Sequence, residues 1–302
     1  MIVSTTGQLA GSVSGGCVES AVYEEMMDVL QGGLPRVLHF GITEDMTWEV
    51  GLACGGIIDV FVHKLDRALV ETFKHYVEQG EPLALVTAMA GGPEIGACAL
   101  VTRERVVKGE VDQSTLAAAR KLLSTRAASG MVHEVTPGVQ VFLEPFLPPP
   151  MLVVIGGVHI AIPLIKFAQE LGFYVVVADP RAKFANRERF PQADEVRVEW
   201  PDQTFAHLHV DDATYVVILT HDPKIDEPAL AATLKSDAAY IGVIGSRGTH
   251  AARFERMAKK GITAEQLRRV YAPIGLDLGG RTPEEIALSI IAEVVAVKNG
   301  RS

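Results

Sequence analysis

The chain has 302 residues, of which 48% are hydrophobic and 22% charged; this composition excludes a disordered or fibrous protein and allows two hydrophobic cores. Its 28 basic and 37 acidic residues leave a formal net charge of −9, which repels a phosphate backbone, so no nucleic-acid partner is expected. The longest apolar runs, Met151 to Ile155 and Ala239 to Ile244, are far too short to cross a bilayer, and no basic-then-apolar leader opens the sequence; the expectation is a soluble, cytoplasmic protein with no membrane partner.

In chain order, the first half shows one pattern twice. Ala99 to Glu110 (ALVTRERVVKGE) repeats the apolar-turn-apolar-glycine layout of Met1 to Ser12 (MIVSTTGQLAGS). A helix-like segment follows each, Val18 to Leu30 and Leu116 to Leu123, and each leads to an alternating strand, Ile58 to His63 and Val139 to Leu143. The expectation is a smaller amino-terminal α/β domain with an internal repeat, residues 1–143. The second copy opens with an extra strand, Pro82 to Ala88, that has no counterpart before Met1; an open strand edge of this kind invites pairing, and a homo-oligomer, a dimer or larger, is expected.

The cysteines are Cys17, Cys54 and Cys98, too few and too scattered for a disulfide scaffold or a structural zinc pair, so reduced thiols are expected. Ser14, Gly15, Gly16, Cys17 and Glu19 form a polar turn that feeds a helix, where backbone amides and the helix dipole favour a Cys17 thiolate. Cys54 sits in a second small-residue turn, Gly51 to Gly56. The pair could contact a metal-bearing cofactor, carry sulfur, undergo redox chemistry, or remain inert buried thiols. Cys98, among apolar neighbours, reads as core.

Residues 144–150 (EPFLPPP) read as a proline-rich linker, since prolines lack the donors that a central strand or helix needs. From Met151 the pattern becomes strand, helix, strand. Buried-strand candidates at 151–155, 174–179, 215–219 and 239–244 indicate a Rossmann-like parallel sheet covered on both faces, residues 151–302. Thr282-Pro283-Glu284-Glu285 supplies a cap, a first-turn proline and acidic residues for a final helix, so neither glutamate needs a catalytic explanation. Arg253, Arg256, Lys259 and Lys260 fall at helical spacing and read as a solvated helix face.

Gly156-Gly157-Val158-His159-Ile160-Ala161 stands where a dinucleotide-binding turn would read Gly-x-Gly-x-x-Gly/Ala, with Val158 in place of the second glycine. Gly156 and Gly157 either cradle a phosphate or only permit tight packing. Asp179, at the end of the next strand, either takes a ribose or caps a loop. Arg181 either pairs with phosphate or forms a surface salt bridge. His159 either faces a ligand or caps the turn. A second glycine turn carries Gly245, Ser246 and Arg247, and His221 and Asp222 follow another apolar strand; all of these are expected to line the crevice at the strand ends, with a loop hydrogen bond as the alternative for His221.

Taken in order, GQLAGSVSGGCVES, GLACGG, the glycine turn with His159 before ADPRAKFANRERFPQAD, THDPKID, YIGVIGSR and YAPIGLDLGGRTPEEIALSIIAEVV resemble the XdhC/CoxI family, accessory proteins of molybdenum-containing dehydrogenases. The resemblance implies a cofactor-handling chaperone rather than a stand-alone enzyme. Such a protein binds molybdenum cofactor (molybdopterin), supports its sulfuration through a cysteine desulfurase, and delivers it to a xanthine-dehydrogenase-like molybdenum hydroxylase. Cys17 matches the cysteine of the family's SGGC-E motif and Cys54 the second glycine-flanked cysteine, which makes them the implied molybdenum contacts. Family members extend farther upstream of the SGGC motif than this sequence does. An NAD(P)-dependent oxidoreductase, or a noncatalytic assembly or regulatory protein, are the alternatives.

Overall fold

The computed structural model describes residues 1–16, 18–41, 57–92, 94–126 and 129–301. The chain divides into two units, Met1–Pro148 and Pro149–Ser302. No helix among the described residues is long and apolar enough to cross a membrane.

The first unit runs β1 (Ile2–Val3), β2 (Leu9–Ala10), α1 (Glu19–Leu30), β3 (Arg36–Phe40), β4 (Ile58–Val62), α2 (Arg67–Glu78), β5 (Leu83–Ala90), β6 (Cys98–Thr102), β7 (Val106–Lys108), α3 (Gln113–Ser124), β8 (Met131–Thr136) and β9 (Val139–Phe146). Every described pairing in it is antiparallel. The main sheet has the order β7-β6-β5-β9-β8, and β5 at its centre is buried on both faces. Period-two alternation explains how: Ala84 and Val86 pack with Ala119, Leu122 and Leu123 of α3, while Leu83 and Leu85 pack with Leu69 and Phe73 of α2. Asp66 and Asp112 start these helices by accepting backbone N–H bonds, from Leu69 and from Ser114 and Thr115.

The structure does not confirm the expected internal repeat. Hairpin, helix, hairpin occurs as β1-β2-α1-β3-β4 and as β6-β7-α3-β8-β9, yet only the second set is joined through β5. Pairs β1–β2 and β3–β4 remain two separate two-stranded sheets. The linker expected at 144–150 also needs correction: β9 continues to Phe146, with Pro145 opposite Ala84. Pro145 falls beyond the end of the β8 ladder, which stops at Leu143, so this part of β9 pairs with β5 alone.

The second unit runs β10 (Met151–Ile155), α4 (Ala161–Glu170), β11 (Tyr174–Ala178), β12 (Glu195–Arg197), α5 (Pro201–His207), β13 (Thr214–Ile218), α6 (Pro223–Thr233), β14 (Tyr240–Val243), α7 (Arg247–Lys259), α8 (Ala264–Leu267), β15 (Val270–Tyr271) and α9 (Pro283–Lys298). Its strands are all parallel, in the order β12-β11-β10-β13-β14-β15, which is the strand order of dinucleotide-binding folds. On one face Leu152, Val154, Val175, Val177 and Val217 meet α4 and α9; on the other Val153, Ile155, Val216, Ile218 and Ile241 meet α6 and α7. Burial on both faces is why these strands read as unbroken apolar runs. Helix α9 begins with a full capping box, Thr282 Oγ1 accepting from Glu285 N at 3.2 Å and Glu285 Oε2 accepting from Thr282 N at 3.0 Å.

Candidate functional site: a strand-end crevice and a glycine loop

In the second unit the parallel strands deliver four turns to one edge of the sheet. These are residues 156–160 after β10, 179–181 after β11, 220–222 after β13 and 244–247 after β14. Strand order reverses between β10 and β13, so the first and third turns flank the switch point where such sheets bind ligands. They are packed tightly: Gly156 has φ +110°, and a Cβ there would come within 2.6 Å of the Thr220 methyl. His221 is exposed and held at φ 62°, a left-handed conformation that a non-glycine residue adopts only under constraint. The constraint comes from both sides: Thr220 Oγ1 accepts from Asp222 N at 3.1 Å, and Asp222 Oδ1 accepts from Lys224 N at 2.9 Å to cap α6. Asp222 is therefore an N-cap, and Ser246 caps α7 in the same way by accepting from Thr249 N at 3.2 Å. His159 and Arg247 are exposed at this edge, and Val158 turns into the core beside α4.

Asp179 and Arg181 hold to each other. Asp179 is fully buried; its Oδ1 accepts from Arg181 N at 2.9 Å and Nε at 2.8 Å, and its Oδ2 accepts from Arg181 Nη2 at 2.8 Å and Gly157 N at 3.1 Å. Burial pushes this carboxyl up, but the Arg181 and Gly157 donors outweigh burial and hold it below the usual carboxylate range. Of the alternatives for these two residues, the structure shows the salt bridge for Arg181, with Asp179 as its partner. Phe184 lies against the pair, its ring centroid 4.0 Å from the Arg181 guanidinium carbon, and its carbonyl approaches Gly157 so closely that a Cβ would overlap it.

Behind the β13 and β14 turns lies a buried network built on Arg253, a residue expected from its spacing to be solvated. Arg253 is 2% exposed; its Nη2 donates to Asp226 Oδ2 at 2.9 Å and its Nη1 to His250 Nδ1 at 2.9 Å and Ile244 O at 3.3 Å. With Nδ1 accepting, the His250 proton sits on Nε2 and is donated to Gly245 O at 3.1 Å. Asp226 also accepts from Thr220 Oγ1. Burial, then the Arg253 charge, keep His250 below the ordinary histidine range, and burial pushes the Asp226 carboxyl up against the opposing effects of Thr220 and Arg253. Arg256 and Lys260 pair with Glu227 at 2.5 Å each. The basic stripe read as a solvated face is, for Arg253, Arg256 and Lys260, the ionic seam between α7 and α6.

In the first unit, Glu19 gathers the glycine loop. Its Oε1 accepts from Val13 N at 3.0 Å, Ser14 N at 2.8 Å, Gly15 N at 2.9 Å and Ser12 Oγ at 2.6 Å. Its Oε2 accepts from Gly16 N at 2.9 Å, Val18 N at 3.1 Å and Ser14 Oγ at 3.1 Å. Gly15 and Gly16, at φ +80° and +122°, let successive amides turn inward. The Ser12 hydroxyl and then these amides hold Glu19 well below the usual carboxylate range. The amides expected to favour a thiolate are thus spent on Glu19. Cys17 and Cys54 lie outside the described residues. Cys98 is only half-buried: its Sγ lies 3.7 Å from His63 Nδ1 and from Thr87 Oγ1 beside a small cavity lined by Lys64 and Lys108, and burial pushes its thiol up and His63 down. Among the described residues, no group of three or more His, Cys, Asp or Glu side chains is placed to hold a metal ion.

Comparison with known proteins bears on both units. The XdhC Rossmann domain profile matches residues 152–294, and the profile of the XdhC and CoxI family matches residues 1–41. A Bacillus subtilis protein described as a probable xanthine dehydrogenase component is 25% identical over 301 residues, covering 99% of this chain and 87% of that protein. The molybdenum cofactor insertion chaperone PaoD of Escherichia coli is 25% identical over 300 residues, covering 99% of this chain and 77% of PaoD. A crystal structure of a xanthine dehydrogenase from Bacillus halodurans superposes with a TM-score of 0.77 at 26% identity, covering 99% of this chain and 86% of that one. Both units are matched in order and the fold is shared along the chain's length: this protein belongs to the XdhC and CoxI family.

Proposed function

We propose that this chain is a molybdenum-cofactor accessory protein, which holds the cofactor as cargo, supports its sulfuration and passes it to a xanthine-dehydrogenase-like hydroxylase. The observation that carries the reading is the match over 99% of the chain to a molybdenum cofactor insertion chaperone, which takes in both the glycine loop and the strand-end crevice. The partners in this reading are the hydroxylase and a cysteine desulfurase; the protein works in the cytoplasm and as a homo-oligomer.

The chemistry follows from donor types. A thiolate is a soft ligand suited to molybdenum, and Cys17 lies between two residues, Gly16 and Val18, whose amides Glu19 fixes. The phosphate of a pterin cofactor needs charge-assisted donors, which backbone amides and arginine supply. In a protein of this kind the acceptor enzyme carries out the redox reaction, and the accessory protein protects and releases.

The test is anaerobic. Purified protein is incubated with molybdenum cofactor and passed through a desalting column, and the retained pterin is read by fluorescence after oxidation. Wild type is expected to retain pterin and activate an apo-hydroxylase, and Cys17→Ser to lower both. Absence of retention by wild type overturns the reading; unchanged retention and activation by Cys17→Ser removes that thiol from the mechanism.

A further inference from the structure

We infer that Asp179, Arg181 and Phe184 are specificity determinants that close the nucleoside half of the crevice, so that its ligand is a phosphorylated heterocycle without an appended nucleoside rather than a dinucleotide. The inference rests on the reading of the protein as a cofactor carrier and narrows which form of cofactor it takes.

In a parallel sheet of this order a dinucleotide lies across the switch point. One nucleoside sits over the strand that β11 represents, with its ribose hydroxyls on the acidic residue that ends that strand. The acidic residue is present here but closed off. A carboxylate offers about four lone-pair sites, and Asp179 has four donors on it, three of them from Arg181. The side chain is fully buried, so a ribose hydroxyl has neither a free acceptor nor a path to one.

The diphosphate position is affected too. Gly157 N, part of the turn that would face a diphosphate, is given to Asp179. The loop after β11 is fastened over the same turn: Arg189 Nη2 donates to Gly157 O at 3.0 Å, and the Phe184 carbonyl occupies the space a Gly157 side chain would need. The Arg181 guanidinium carbon stands 4.0 Å from the centroid of the Phe184 ring, so the cation is held against that ring as well as on the carboxylate that would otherwise receive a ribose. Admitting a nucleoside means breaking a bidentate, charge-assisted pair on a buried carboxylate and lifting the loop. On the far side of the switch point His221 remains exposed. The asymmetry places the open part of the crevice toward β13.

The experiment uses the full chain and titrates AMP, ADP-ribose and NADH by calorimetry, with wild type beside Arg181→Ala and Phe184→Ala. Wild type is expected to show no saturable binding up to millimolar ligand. A folded Arg181→Ala protein, with Asp179 released, is expected to gain affinity for AMP by roughly tenfold or more, the scale of one regained hydrogen bond to a charged group. Micromolar binding of any of the three nucleotides by wild type overturns the inference. So does a folded Arg181→Ala protein that binds them no better than wild type; if that variant does not fold, Phe184→Ala takes its place under the same criterion. Pterin retention is not read, so failure of the carrier reading and failure of this one are separate results.

Discussion

Replacing Arg253 by Met tests whether the α6–α7 seam is held by charge. Methionine keeps the length and apolar stem but removes the guanidinium that donates to Asp226, His250 and Ile244. Asp226 is fully buried, and the change leaves it with Thr220 as its hydrogen-bond donor. Removing one partner of a buried ion pair costs about 3–5 kcal/mol, because the other charge stays behind unpaired. Asp226 can limit the cost by taking up a proton, since burial already pushes its carboxyl up. The folded form then carries more protons than the unfolded one, whose aspartate titrates near about 3.9, so the variant loses stability as pH rises above that value. Urea unfolding in a Trp48→Phe background, with Trp200 as the reporter for the second unit, should give a loss of about 3 kcal/mol or more at about pH 8 and a smaller loss at about pH 5. Asp226→Leu combined with Arg253→Met should recover most of it. A single-variant loss under about 1 kcal/mol, or one independent of pH, would refute the reasoning.

Gly157→Ala puts a methyl group into the Phe184 carbonyl and should cost about 1–3 kcal/mol in thermal or urea unfolding through displacement of the 180–190 loop; a neutral substitution would mean that the loop is not fastened on the turn. Glu19→Gln removes the charge on which the amides of Val13, Ser14, Gly15, Gly16 and Val18 converge, and hydrogen exchange at Gly15 and Gly16 should accelerate while that of α3 stays unchanged. In wild type the Glu19 carboxyl sits well below its ordinary value, so its stabilisation is present above the ordinary glutamate range and is lost as pH falls through that range toward the folded value. Exchange of these amides that is insensitive to both the substitution and acid would show that the loop does not depend on the carboxylate.

The parallel unit was legible because burial on both faces writes the same signal into every strand, and α9 because Thr282, Pro283 and Glu285 are adjacent in sequence. Asp222, read from the sequence as a crevice residue, is the N-cap of α6, with Pro223 in its first turn. Arg253 could not be read at all. A buried arginine and a solvated one share the same spacing, and what distinguishes them is Asp226, twenty-seven residues away and on another helix. In the first unit, Pro145 lies in β9 two residues past the end of the β8 ladder, a fact of register that local composition does not hold.

The two candidate sites share a device that the sequence carried without declaring it. In each, a glycine turn aims amides at a point where an anion would sit, and a carboxylate of the chain itself takes that point: Glu19 over Gly15 and Gly16, and Asp179 over Gly157. Asp-Pro-Arg encodes the second closure locally, since the proline turn brings the Arg181 guanidinium back onto the carboxylate two residues before it. A ligand phosphate that uses either turn has to displace a carboxylate, and its apparent affinity falls by the fraction of molecules in which the turn is open. For an enzyme that keeps its cofactor through many turnovers, this competition would be a handicap. For a carrier it weakens the grip on cargo at the donors that hold a phosphate, so that release to an acceptor with better-placed groups runs downhill, which supports the reading of this chain as one that hands its ligand on.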